Sequence, residues 1–299
     1  MPPPPHRPPQ LRGRVFRGSA VVRSGLLTRH QLRSSAWQRL YPDVYACAEV
    51  AVTHEVRAAA VTRFLLPGSV VSGRSAAVIW DVGLLDATAA VEVTLPAGSR
   101  AGSVAEVRVT RRALSVEERT TRRGIPVTTA LRTALDLGRI QPLDDAVIAL
   151  DRFFATGLVF PEQVREAAAA VAGRDCRRIR RAASLSDGLA ESPQETRLRL
   201  LLHRSPLPDP VAQFIVRDAR GHRAARVDFA WPEHCLALEY DGLWHGEPAQ
   251  FRRDRARLNR LTEAGWRVIF VTAAELRNPE ALLRRIAQAL AAPSSASNR

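Results

Sequence analysis

Between Arg226 and His245, in the run R-V-D-F-A-W-P-E-H-C-L-A-L-E-Y-D-G-L-W-H, the carboxylates Asp228, Glu239 and Asp241 and the histidine His245 are the residues spaced for chemistry. Asp228 lies in one alternating apolar segment, and Glu239 and Asp241 lie in or at the end of the next. Such alternation predicts two adjacent β-strands, which bring the three acids toward one another with His245 just beyond. Carboxylates on neighbouring strand ends repel unless a cation holds them. The chemistry on offer is therefore capture of a hard divalent ion, which is the ion that phosphodiester hydrolysis needs. Such an ion polarises the phosphoryl oxygen and lowers the pKa of an attacking water. Mg²⁺ or Mn²⁺ is the expected cofactor, because Mg²⁺ takes carboxylate, carbonyl and water oxygens and needs few protein ligands. Asp228 and Glu239 are the candidate metal ligands. Asp241 is a candidate second-ion ligand or base. His245 either orients the water or protonates the leaving group, or is a surface-loop histidine. Trp244 either packs on the sheet, the favoured reading, or stacks on a base.

The elements that must position these residues can be read on either side. Ser192-Pro193-Gln194-Glu195 carries a cap residue, a proline at the first helical position and a glutamate three residues on, and so predicts a helix running to about His203. Glu195 completes that cap, yet it shares the apolar arc of Leu198 and Leu202 and so faces the sheet. The segments Q-F-I-V-R-D and A-R-V-D-F-A-W predict two strands joined at Ala219-Arg220-Gly221, and Cys235 to Tyr240 a third. A helix from Ala249 to Ala264, the strand W-R-V-I-F-V-T and a last helix from Ala273 to Leu290 complete the order α-β-β-β-α-β-α. On the first of these helices Asp254 falls in the apolar stripe with Phe251, Leu258 and Leu261. It needs a partner there, with Arg257 a candidate, unless it serves as a favourable acid in the first turn. Arg252, Arg253, Arg255 and Arg257 are candidate contacts to a nucleic-acid backbone.

The N-terminal half is patterned differently. Arginines recur at Arg12, Arg14, Arg17, Arg23, Arg29, Arg33 and Arg39 with no acid before Asp43. Thr28 can cap a helix beginning R-H-Q-L, and Pro42-Asp43 marks a turn before V-Y-A-C-A. Short helices followed by a strand in a basic frame fit a winged helix-turn-helix, or a small helical subdomain with a solvated basic surface. Helices are expected over His54–Leu66, from Ser72 or Ser75, from a Thr128 cap through Leu137, over Asp144–Phe154 and over Pro161–Ala172. Strands are expected at Val91–Pro96 and Val107–Thr110, and a loop flanked by Arg111, Arg112, Arg122 and Arg123. The run C-R-R-I-R-R-A-A puts Arg177, Arg178, Arg180 and Arg181 on a broad arc opposite Ile179, which is a solvated face or a phosphate grip.

Composition bounds the reading. The chain has 299 residues, 46% of them hydrophobic, and a formal net charge of +14. That length suits two domains, and that charge attracts polyanions, so DNA is the expected partner. All 44 basic residues are arginine, so a catalytic lysine is absent. Cys47, Cys176 and Cys235 are far apart, with no zinc spacing, which fits reduced thiols and a cytoplasmic location. The start M-P-P-P-P-H-R-P-P-Q has no hydrophobic region for a signal peptide, and no apolar run has the length of a membrane span. A homodimer stays open.

The motifs E-S-P-x-E-T-R-L-R, R-V-D-F-A-W-P, E-Y-D-G-x-W-H and R-D-R-x-R-L-N-x-L together resemble the very-short-patch-repair-endonuclease-like domain of undefined function, within the PD-(D/E)xK superfamily, over about residues 191–276. The resemblance implies a restriction-endonuclease-like αβββαβ core, the Tyr240 backbone carbonyl as a third metal ligand, and an approach of Glu195 to the metal. It also implies a lysine where this chain has Asp241, although the mismatch-repair branch has histidine there. L-L-T-R-H-Q-L, W-Q-R-L-Y-P-D-V-Y, V-V-S-G-R-S-A-A and I-P-V-T-T-A-L-R-T-A-L-D-L resemble the AbiEi-type antitoxin and regulator family over about residues 16–158, which implies a DNA-binding winged helix with Arg29, Arg33 and Arg39 as contacts and Gln31 or Arg33 near a base edge.

The expected fold class is accordingly mixed α/β, of the α+β kind. The expected domains are a disordered proline-rich tail at 1–13, an AbiEi-like region at 14–183 with the winged helix-turn-helix at about 14–52, a linker at 184–191, an endonuclease-like domain at 192–290 and a disordered tail at 291–299. Two functions remain open: a metal-dependent DNA endonuclease, with Asp228, Glu239, Asp241, His245 and Glu195 as catalytic candidates, or a catalytically inactive DNA-binding regulator of the antitoxin type.

Overall fold

Short alternating segments build three β-sheets between helices, giving a mixed α/β chain. The structure, a computed structural model, describes residues 6–241 and 248–292, and of residues 248–254 the backbone alone. The chain forms two compact units. One runs to Ile140 and takes in Leu158–Ile179; the other takes Gln141–Gly157 and continues from Arg180.

The first unit begins with β1 (Val15–Arg17), α1 (Gly18–Arg23), β2 (Trp37–Tyr41) and β3 (Val44–Cys47), an antiparallel sheet in the order β1-β3-β2. Asp43 turns the chain with a φ of 60°, and its carboxylate accepts hydrogen bonds from the Ser19 amide at 2.6 Å and hydroxyl at 2.5 Å. The helix expected after Thr28 is a single 3-10 turn, Gln31–Arg33. Thr28 Oγ1 accepts from the Gln31 amide at 3.2 Å and Gln31 Oε1 from the Thr28 amide at 2.7 Å. The turn stops at Ser34, whose backbone is extended with a ψ of 162°.

Next come α2 (His54–Ala60), capped by the Thr53 side chain and running into a π turn at Val61–Leu65, then β4 (Val70–Val71), α3 (Gly73–Ile79), β5 (Val91–Leu95), β6 (Val107–Arg111), β7 (Arg119–Arg122), β8 (Ile125–Thr128) and α4 (Ala130–Leu137). The second sheet has the order β6-β5-β4-β8-β7. The segment expected as an arginine-flanked loop thus holds strand β7, and its arginines are matched. Arg112 holds Asp136, while Arg122 and Arg123 meet Asp81 at 2.5 and 2.7 Å. The cap of α4 is Thr129 rather than Thr128, because the Thr128 hydroxyl is buried 2.8 Å from that of Thr133.

Then follow α5 (Leu143–Phe154), in the second unit, α6 (Pro161–Ala170), in the first, and α7 (Cys176–Leu185), which begins in the first and ends in the second. The second unit continues with α8 (Pro193–His203), β9 (Val211–Arg217), β10 (Arg223–Trp231), β11 (Leu236–Tyr240), α9 (Pro248–Glu263), β12 (Arg267–Val271), α10 (Ala273–Leu276) and α11 (Pro279–Ala291). Its sheet has the order β12-β11-β10-β9, with β11 and β12 parallel and the other pairs antiparallel. The single helix expected from Ala273 is broken at Asn278-Pro279, since proline lacks an amide donor and disfavours helix in the residue before it. Leu198 and Leu202 pack with Phe229, Leu238 and Ile269 into one core, and Leu261 packs with Ala230 and Ala237 into another.

The stretch 184–191 is tied into this unit. Asp151 on α5 is fully buried and accepts from the amides of Asp187 and Gly188 at 3.0 and 3.1 Å, from the Thr196 hydroxyl at 2.9 Å and from Arg199 at 2.7 Å.

Candidate functional site

Strand register builds the site. Phe229 pairs with Leu238 and Ala230 with Ala237, so one residue further along Asp228 on β10 stands opposite Glu239 on β11. On the other side of β10, Val227 pairs with Phe214 and Phe229 with Ala212, which sets Gln213 of β9 opposite Asp228. Gln213, Asp228 and Glu239 therefore form a row across three strands. Like charges directly opposite on a sheet destabilise it, so the pair Asp228–Glu239 needs compensation.

Part of that compensation is present. Arg257, on α9, grips Glu239 with two hydrogen bonds, Nη1 to Oε2 at 2.6 Å and Nη2 to Oε1 at 2.7 Å, and Nη2 also donates to the Arg226 carbonyl at 2.6 Å. Asp228 receives the Tyr240 amide at 2.8 Å. Its carboxyl is still pushed above the ordinary aspartate range, first by burial and then by the charges of Glu239 and Glu191, against the pull of the Tyr240 amide and Arg257.

Glu195 joins from the first turn of α8. Its amide donates to Ser192 Oγ at 3.2 Å, and its carboxylate accepts from the Glu191 amide at 2.8 Å, one residue before the cap. The capping role is therefore shifted by a residue from the one expected, and Glu195 is buried at 8% exposure. Burial raises its pKa, and the negative charge of Asp228 raises it further. A buried carboxyl raised by a neighbouring carboxylate is one that a positive charge would relieve.

Gln213 was not singled out by sequence, and it has two unusual features. Its backbone is left-handed, with φ at 51° inside a strand. Its Nε2 donates to Glu195 Oε2 at 3.4 Å, while its Oε1 is buried without a hydrogen-bond partner among the described residues. An orphaned buried carbonyl costs roughly 1–3 kcal/mol. Glu191, exposed and ion-paired to Arg226, closes the same edge.

The remaining candidates lie as follows. Asp241 is exposed at the end of β11, and its amide donates to the Val271 carbonyl at 2.8 Å. His245 and Trp244 lie outside the described residues, as do the side chains of Arg252, Arg253 and Asp254. Arg255 is exposed, whereas Arg257, expected on a nucleic-acid backbone and as a partner of Asp254, is spent on Glu239. Leu258, expected in the apolar stripe, is 38% exposed, and Leu261 alone of that pair is in the core. In the first unit Arg29, Arg33 and Arg39 are exposed, and the Gln31 side chain closes the 3-10 turn.

Among the described residues no three His, Cys, Asp or Glu side chains form a group able to hold a metal. The donor set nevertheless fits a hard cation. Asp228 and Glu195 are carboxyls that burial sets in want of positive charge, and the oxygen of Gln213, whose amide nitrogen meets Glu195, has no donor among the described residues. Glu239 could join only by giving up part of its bonding to Arg257.

No family model and no solved structure matches the chain. Two uncharacterized proteins, from two strains of Mycobacterium tuberculosis, are each 34% identical to it over 163 residues, covering 53% of this chain and 59% of the relative. The chain thus spans less than two thirds of the relatives that it matches.

Proposed function

We propose that the protein is a metal-dependent DNA endonuclease of the very-short-patch-repair or restriction-like class, with an N-terminal region of the AbiEi-like, winged-helix type that holds DNA. The observation that carries the reading is the half-buried carboxyl of Asp228, set opposite Glu239 by the strand register, with the buried carboxyl of Glu195 close enough to be raised by its charge. The unit around it supports the reading through its order α8-β9-β10-β11-α9-β12 and its mixed sheet. Bound Mg²⁺ or Mn²⁺ would supply polarisation of the phosphoryl oxygen and a more acidic attacking water. Asp228 and Glu195 hold the ion, and the Tyr240 amide fixes the Asp228 carboxylate. Asp241, exposed at the end of β11, would take the proton released by the attacking water. Arg29, Arg33 and Arg39, exposed on the first unit, meet the DNA phosphates. The test is plasmid nicking by wild type and Asp228→Ala with Mg²⁺ or Mn²⁺. Cleavage lost in the variant is expected; a wild type that cuts no better than Asp228→Ala on single- and double-stranded substrates sinks the reading.

One observation favours a second reading. Arg257 already occupies both oxygens of Glu239, the place a cation would share. On that reading the nuclease-like unit is catalytically inactive and the protein is a DNA-binding regulator. Binding to its own promoter would then fall steeply with salt, survive Asp228→Ala and be lost when Arg29 and Arg33 are both changed to alanine.

A further inference from the structure

We propose that Gln213 is a ligand of the cation, supplying a neutral oxygen beside the carboxylates of Asp228 and Glu195. This rests on the metal-dependent reading above and adds a residue to it. Three observations lead there. The register sets Gln213 opposite Asp228. Its Nε2 donates to Glu195, so the amide is oriented by the second carboxylate. Its Oε1 is buried and has no donor among the described residues.

The orientation of the amide follows from charge. Turning it over would set Oε1 against the Glu195 carboxylate, oxygen against oxygen, and would leave an amine without an acceptor. With the donor on Glu195, Oε1 is left needing a positive partner. A hard divalent ion accepts side-chain amide oxygens alongside carboxylates. Charge count favours a neutral third ligand: Asp228 and Glu195 together balance a divalent ion, and Glu239 is already matched by Arg257.

The backbone points the same way. A left-handed glutamine inside a strand is strained, and such strain persists where the surrounding structure holds it for use. A residue serving only to prop Glu195 needs one donor, which an unstrained side chain could offer. It needs neither the left-handed backbone nor the orphaned oxygen.

The test is Mn²⁺ titration of the full chain by calorimetry, for wild type, Gln213→Leu and Gln213→Gly, with thermal melts in cation-free buffer. Both variants are expected to bind Mn²⁺ about tenfold or more weakly. Gln213→Gly should melt no lower than wild type without cation, because glycine takes a φ of 51° freely. If wild type binds Mn²⁺ and both variants bind it as tightly, the role of Gln213 is overturned while the metal site stands. If Gln213→Gly loses cation-free stability in step with affinity, Gln213 is a structural prop and the proposal is overturned. If wild type binds no Mn²⁺, the metal-dependent reading and this inference fall together.

Discussion

Arg257 and Glu239 are joined by two hydrogen bonds of 2.6 and 2.7 Å across the face of the sheet, with the carboxylate buried at 6% exposure. Breaking a fully buried ion pair costs roughly 3–5 kcal/mol. The Arg257 side chain is 33% exposed, so solvent takes over part of its work and Arg257→Ala is expected to cost about 2 kcal/mol. The same change leaves Glu239 facing Asp228 without that guanidinium, and Mn²⁺ should then restore part of the loss. Urea unfolding of Arg257→Ala with and without Mn²⁺ checks both statements. A variant as stable as wild type would remove the pair from the account of the fold. One destabilised but indifferent to Mn²⁺ would count against a cation beside Glu239.

Asp151 gathers four donors at a buried point, from the Asp187 and Gly188 amides, the Thr196 hydroxyl and Arg199. Asp151→Ala leaves all of them without that acceptor and should destabilise the C-terminal unit by about 3–5 kcal/mol. Asp151→Asn keeps one oxygen for the loop amides but presents an amine toward Arg199, so it should fall between the two. Urea midpoints rank the three proteins, and an Asp151→Ala midpoint equal to wild type would contradict the arrangement.

Gly188, whose amide is one of those four donors, has a φ of 70°, and a β-carbon placed on it would lie 2.7 Å from the β-carbon of Phe154. Neither strain can be relieved by a rotamer change. Gly188→Ala is expected to cost about 1–3 kcal/mol, read as a lowered melting temperature. Gly157, with a φ of 69° and no neighbour within 4 Å of a built β-carbon, is the control: alanine there carries the backbone strain alone and should lower the melting temperature less.

Much of the C-terminal unit was legible because its signals are local. The Ser192 cap with Pro193, the alternation through Phe229 and Leu238, and the helix-strand order each depend on neighbours in sequence. Asp228 and Glu239 were found for the same reason. Gln213 was not, and a bulge explains why. Counted back evenly from the turn, Arg217 pairs with Arg223 and Gln213 falls opposite Val227; the irregularity between Arg223 and Ala225 shifts the ladder by one residue and puts Asp228 there instead. A slip of one residue exchanges the two faces of a strand, and nothing in the composition of the hairpin marks it. The partner of Arg257 was likewise hidden, since the register of α9 against the sheet is a tertiary fact. In the first unit, the reciprocal bonds of Thr28 and Gln31 have the form of a helix start, yet the turn ends at Arg33, so a cap read from the sequence did not fix the length of the element.

His54, on α2, is 3% exposed, and its Nε2 lies 2.8 Å from Ser75 Oγ, which accepts the Glu92 amide at 2.8 Å. The Ser75 hydroxyl has a second lone pair besides the one that takes the Glu92 amide, so it can either donate to Nε2 or accept from it. Burial lowers the histidine pKa below the usual value of 6.5, and the charge of Arg57 lowers it further, against weaker opposing pulls from Glu92 and the Asp86 backbone. A histidine depressed in the folded state binds its proton more readily when unfolded. Its contribution is therefore complete above the unfolded value of 6.5 and is lost progressively as pH falls below it, toward the folded pKa. Stability of the N-terminal unit should fall as pH drops below 6.5, and His54→Gln should flatten that slope while lowering stability at neutral pH. Urea midpoints measured across this range decide the matter; parallel curves for wild type and variant would show that His54 does not set the slope.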